Sequence, residues 1–140
     1  MTEAEKRNYI RSAFKDYAVN KRRLNQVAMP GTGGVDYTRP SVVSGGGNGV
    51  ETAMIKYIDS VREISNKCEI VRRTMEHYLI EDKRNGGKGK REYIYQHFVR
   101  KRSTYLSALR CNIAERTTRY WQEEIYLTAE VIAEQYNLFP

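Results

Sequence analysis

The sequence has few of the residues that staple small folds together. Its two cysteines, Cys68 and Cys111, and two histidines, His77 and His97, show no metal-ligand spacing, so neither a metal site nor any other cofactor is expected. Cys68 falls on an apolar helical stripe and Cys111 beside a turn, positions that suit buried, reduced thiols in a cytoplasm. With only three prolines, the composition suits a helix-rich chain. No run approaches the roughly 18 apolar residues of a membrane span. The opening MTEAEKRNYIR lacks the apolar core of a secretory signal. No serine or cysteine nucleophile motif accompanies either histidine, and the acidic pairs Glu81-Asp82 and Glu123-Glu124 read as solvated helix faces. The chain is therefore not expected to be an enzyme.

What is abundant is tyrosine, at eleven residues, and positive charge, at a net +7. Residues 1–29 hold seven basic and three acidic groups, and residues 86–122 hold nine and two, whereas residues 30–85 are balanced and the last eighteen carry four acidic groups and no basic ones. Such concentration marks a polyanion partner, with nucleic acid the first candidate and an acidic membrane surface the second.

Four segments follow from periodicity and punctuation. Residues 1–29 read as one basic amphipathic helix, with Ile10, Phe14, Tyr17, Leu24 and Ala28 on its stripe, Lys21 in the one polar slot, a Thr2/Glu5 capping box and a stop at Pro30-Gly31. Its outer face of Lys6, Arg7, Arg11, Lys15, Arg22 and Arg23 is read first as solvated surface. Residues 30–49 hold seven of the ten glycines. A phosphate loop would need a lysine and a hydroxyl after its last glycine, but Val50 and Glu51 follow Gly49, so the stretch reads as a flexible linker. Residues 50–84 carry a heptad seam of Tyr57, Val61, Ile64, Cys68, Val71, Met75 and Tyr78, widened by Ile58, Ile70 and Leu79. The seam must face another helix: either the N-terminal helix, in an antiparallel hairpin, or a second copy, in a coiled-coil homodimer through residues 54–79. Residues 85–140 are a further helical unit, with a short helix over 92–100, one over 104–111 capped by Ser103 or Thr104, and a last one over 116–136. No alternating strand pattern occurs, so the fold class is all-α.

Residues 103–125 read as two helices joined by a tight turn, the spacing of a helix-turn-helix. Leu106 and Leu109 are expected to face inward, Asn112 to take the positive φ of the turn, and Ile113 to be buried after it. Thr118, Trp121 and Ile125 would then dock inward, leaving Glu115, Arg116, Arg119, Tyr120 and Glu123 outward as candidate base-contact residues. Lys88, Lys90, Arg91, Arg100, Lys101, Arg102, Thr104, Arg110 and Thr117 are the candidate phosphate contacts that would hold the register, with the N-terminal helix as a further one.

The stretch STYLSALRCNIAERTTRYW, residues 103–121, resembles the helix-turn-helix of sigma-factor region 4. Set in a short charged helical chain, it looks like the phage late-transcription regulators of the ArpU/RinA type, most closely those of phages of lactococci and related Gram-positive hosts. The likeness is specific over roughly residues 90–136 and rests on length and the Gly-rich break elsewhere. It implies a DNA-binding activator of phage late genes in the bacterial cytoplasm, with a recognition helix over about 115–136 in the major groove of a promoter. Host RNA polymerase is then a candidate partner, met by Glu123, Glu124, Glu130 and Glu134. Two positions depart from the pattern: Ala114 stands where a serine or threonine cap is usual, and Ser107 where an apolar residue is usual. The competing readings are a small DNA-binding phage packaging subunit of the terminase type and a helical interaction protein that binds no DNA.

Overall fold

The computed structural model describes residues 1–28 and 47–140, and every regular element among them is helical. Helix α1, Glu3–Lys15, begins at the expected capping box. Thr2 Oγ1 accepts from the Glu5 N–H at 3.2 Å, and Glu5 Oε2 accepts from the Thr2 N–H at 3.1 Å. Its buried face is Tyr9, Ile10, Ala13 and Phe14. The single helix expected over 1–29 is interrupted: α1 ends at Asp16, with φ −99° and ψ 10°, and α2 follows over Tyr17–Ala28. At the break the Lys101 ammonium donates to the Lys15 carbonyl. Tyr17 and Asn20 are buried beyond it, whereas Lys21, the polar residue of the stripe, is exposed. The stop expected at Pro30-Gly31 lies outside the described residues.

Helix α3 spans Gly47–Arg84, so residues 47–49 of the expected linker are helical and the rest of it lies outside the described residues. Its 38 residues extend about 57 Å. Ile70, Val71, Thr74, Tyr78 and Asp82 are buried, Val61, Ile64, Cys68 and Met75 are half-buried, and Ala53–Ser60 are exposed. Helices α1 and α2 of the same chain, with elements that follow, cover this seam. From Ile64 to Tyr78 it is therefore occupied internally, which removes most of the dimer face expected over 54–79. Ion pairs Glu63–Lys67, Glu69–Arg72 and Arg72–Glu76, at 3.3, 2.6 and 3.1 Å, brace its outer side. Pairs at this spacing contribute about 0.3–0.5 kcal/mol each.

Helix α3 ends where Gly86 takes φ 70° and the Gly87 N–H reaches back to the Asp82 carbonyl at 2.7 Å. Helix α4, Lys90–Ile94, begins two residues before the expected 92–100 helix and widens into a π-helical turn over Tyr95–Val99. Gly89 supplies no side-chain cap for α4. Asp82 does so from α3, its Oδ2 accepting the Glu92 N–H at 2.9 Å. A Cβ on Gly89 would stand 2.3 Å from Asp82 Oδ1, so that close approach requires glycine. Asp82 is 4% exposed, a buried linchpin rather than half of a solvated acidic pair.

Helix α5 is Thr104–Cys111, with Ser103 Oγ accepting the Leu106 N–H at 3.2 Å, and α6 is Glu115–Gln135. Asn112 between them takes φ 57° and ψ 42°, the expected left-handed turn, and the Ile113 N–H closes onto the Ala108 carbonyl at 3.1 Å. Asn137 ends α6 in the same way, which folds Phe139 back to lie 5.7 Å from Tyr9.

A single core draws on α1, α2, α3, α4, the π turn, α5 and α6. The described parts of 1–29, 50–84 and 85–140 are thus layers of one unit. Phe14, Phe98 and Tyr126 form an aromatic triangle tying α1, the π turn and α6, with centroids 5.2, 5.7 and 6.3 Å apart. Two buried phenols find partners, Tyr93 accepting from Gln122 at 2.6 Å and Tyr78 sharing a 2.7 Å bond with Thr128, whereas the Tyr9 hydroxyl has none among the described residues.

Candidate nucleic-acid interface

Helix α6 has two chemically distinct sides. Thr118, Ile125, Ala129, Ile132 and Ala133 face the core, and Trp121 is half-buried against it. Glu115, Arg116, Arg119, Tyr120 and Glu123 are all exposed, Tyr120 at 64%. A recess of about 500 Å³ at the start of the helix gathers four of these five residues. It is lined by Glu115, Arg116, Arg119 and Tyr120 together with Thr104, Thr118 and Gln122. Glu123 does not line it and faces the neighbouring cleft beside α1. Among the described residues no carboxylate or carbonyl engages the guanidinium of Arg116 or Arg119.

The turn sets this presentation. Ala114 makes no side-chain cap, as its identity requires, and Thr118 Oγ1 donates to the Glu115 carbonyl at 2.6 Å. Across the turn the Thr104 hydroxyl donates to Glu115 Oε1 at 3.0 Å. That bond commits both groups to each other, one from the expected phosphate set and one from the base set.

Helix α5 is rotated from its expected phase. Leu106 and Leu109 are 46% and 55% exposed, and the inward residues are Ser107, Ala108 and Cys111. Small side chains here allow close approach: Cys111 Sγ lies 3.8 Å from the Gly89 carbonyl. Ser107, the departure from the apolar pattern, is fully buried with no partner for its hydroxyl.

The other expected phosphate contacts divide. Lys88, Arg100, Lys101 and Arg110 are exposed, and Arg91, Arg102 and Thr117 are half-buried. Lys90 points inward, which removes it from the set. Its ammonium pairs with Glu124 at 3.0 Å and lies 5.5 Å from the ring centres of both Tyr78 and Trp121, with the side chain 15% exposed. The acidic surface considered for polymerase is likewise partly engaged, since Glu134 pairs with Lys6 at 2.5 Å and Glu124 with Lys90.

Comparison with protein-family models, curated proteins and solved structures returns no match.

The geometry excludes some chemistry among the described residues. No group of three His, Cys, Asp or Glu could hold a metal ion, and no helix is long and apolar enough to cross a membrane. Both thiols are held above their ordinary range by burial, Cys111 up to about 11, so neither is an activated nucleophile. His97 donates from Nδ1 to the Arg102 carbonyl at 2.8 Å, a bond that fixes its tautomer and positions the chain around Lys101, where φ is 56°.

The sequence offers the N-terminal helix as a further phosphate contact without singling out Arg11 and Lys15 from its basic face. They line a cleft of about 580 Å³ with His97, Phe98, Lys101, Arg102, Arg119, Gln122, Glu123 and Tyr126. The available signal was the basic outer face of the first helix, read as solvated surface.

Proposed function

We propose that the chain binds double-stranded DNA and reads its sequence with the start of α6 in the major groove. Helices α5 and α6 then act as a helix-turn-helix, as the resemblance to sigma-factor region 4 implies. The observation that carries this reading is the unpaired Arg116, Arg119 and Tyr120 face, displayed opposite a fully packed side of the same helix. Arginine can bind guanine in bidentate fashion, and tyrosine can reach a phosphate or a thymine methyl. The exposed cations Lys88, Arg100, Lys101 and Arg110 supply phosphate contacts that position without selecting sequence.

We propose further that this binding activates late genes of a phage or prophage through contact with host RNA polymerase. Glu123 and Glu130 are the members of the acidic set without an ion pair among the described residues, and both line the α1–α6 groove with Leu127 and Arg7. Capture of genomic fragments on the purified chain tests both levels. Enrichment of one phage promoter supports the regulator. Enrichment of a packaging-start site replaces it with the terminase-type subunit, and no enrichment of any fragment refutes sequence-reading.

A further inference from the structure

The cleft between α1 and α6 concentrates charge in a way that solvation does not require. Arg11 and Lys15 come from α1, Lys101 and Arg102 from the chain after the π turn, and Arg119 from α6. Five cations thus face one recess, with Glu123 as the single carboxylate. No ion pair is made by any of the five among the described residues. Arg11 lies 5.9 Å from the centre of the Tyr126 ring, and Lys101 donates only to the Lys15 carbonyl. Like charges gathered on one recess repel one another, and an anion bound among them offsets that repulsion.

The floor of the cleft is rigid. Phe98 and Tyr126 line it, and both belong to the aromatic triangle with Phe14 that locks α1, the π turn and α6 together. The three elements that carry the cations are therefore fixed relative to one another before any ligand arrives. Arg119 and Gln122 line both this cleft and the recess holding Arg116 and Tyr120, so the two are adjacent along α6.

We infer that this cleft grips the sugar-phosphate backbone of the duplex whose groove α6 reads, making α1 a second DNA-contacting element. The inference rests on the reading of α6 given above and adds to it a residue set, a ligand chemistry and a role. Arg11 and Lys15 hold phosphates and carry no sequence information, Arg119 serves both surfaces, and Glu123 opposes the incoming backbone rather than accepting from a base. Charge on α1 thereby sets affinity while Arg116 and Arg119 set preference.

The test uses the full chain and a duplex containing its best captured site. Affinity is measured from low to moderate salt for the unaltered chain, Arg11→Gln/Lys15→Gln and Glu123→Gln, with a scrambled duplex in parallel. Each lost phosphate contact flattens the logarithmic salt slope by about 0.9. The double variant is expected to flatten it by roughly 1–2 and to weaken both duplexes by the same factor, with an unchanged melting temperature. Glu123→Gln is expected to tighten binding to both duplexes equally. Unchanged slopes in the double variant, or a loss confined to the specific duplex, overturn the role of the cleft while leaving α6 as the reader. Failure of the unaltered chain to bind any duplex overturns both.

Discussion

The contact between Asp82 and Gly89 permits a two-residue experiment whose outcome depends on the geometry of a single carboxylate. Asp82→Ala removes the acceptor of the Glu92 N–H, a 2.9 Å bond from a side chain that is almost wholly buried. A hydrogen bond to a charged group contributes about 1.5–3 kcal/mol, and a carboxylate at a helix N-terminus adds about 0.3–1 kcal/mol. Relief of the desolvated charge, whose Oδ1 has no partner, offsets part of this. A net loss of about 2–3 kcal/mol is expected, which for a chain of this size lowers the melting temperature by roughly 4–12 °C. Gly89→Ala should cost about the same, because its Cβ would meet Asp82 Oδ1 at 2.3 Å and Cγ at 2.8 Å. Its φ of −162° is extended backbone that alanine adopts freely, so the clash is the whole effect. In the Asp82→Ala background the obstructing atoms are gone and Gly89→Ala should be nearly neutral. Thermal unfolding followed by circular dichroism on all four proteins gives the coupling, expected to exceed 1 kcal/mol. Additive losses would refute the assigned contact.

Three further outcomes follow from single sites. Ser107→Ala deletes a buried hydroxyl that has no partner and favours the helix, so it should stabilise by about 1 kcal/mol; a lower denaturant midpoint would mean that the hydroxyl is satisfied. Lys90→Ala breaks the Glu124 pair and uncovers the Tyr78 and Trp121 rings, so it should lower the melting temperature yet leave DNA affinity and its salt slope unchanged. Burial, with Glu63 nearby, pushes the Tyr9 phenol from 10.0 up to about 12, and burial also raises Tyr17, Tyr78, Tyr93 and Tyr126. Above pH 10 the unfolded chain loses phenolic protons that the folded chain keeps, so stability should hold up to pH 10 and fall between 10 and 12. Denaturant midpoints across that window check it, and a flat profile would contradict the burial of these rings.

Local chemistry was legible in the sequence. Thr2/Glu5 capping, the Ser103 cap, the left-handed Asn112 and the inward Thr118 and Ile125 each depend on residues within a few positions, and each is found where its spacing places it. Hydrophobicity misled at α5, where two leucines stay exposed because neighbouring helices approach close enough to admit only Ser107, Ala108 and Cys111. Long-range pairings left no periodic signal. Asp82 looks like any surface acid until α4 is laid against it. Lys90 looks like any basic-loop lysine until Glu124 and two rings enclose it. Arg11 and Lys15 belong to a cleft that exists only because an aromatic triangle draws α1 onto α6.

Base reading by the exposed arginines at the start of α6 is the step on which the proposed function turns. Its most direct test is the affinity of Arg119→Ala for the captured duplex and for variants of that duplex substituted at each base pair. A loss of about 1–3 kcal/mol on the captured site is expected, with relaxed preference at one or two adjacent base pairs and an unchanged melting temperature. Undiminished affinity, or equal weakening on every duplex with preference intact, would contradict base reading by this helix.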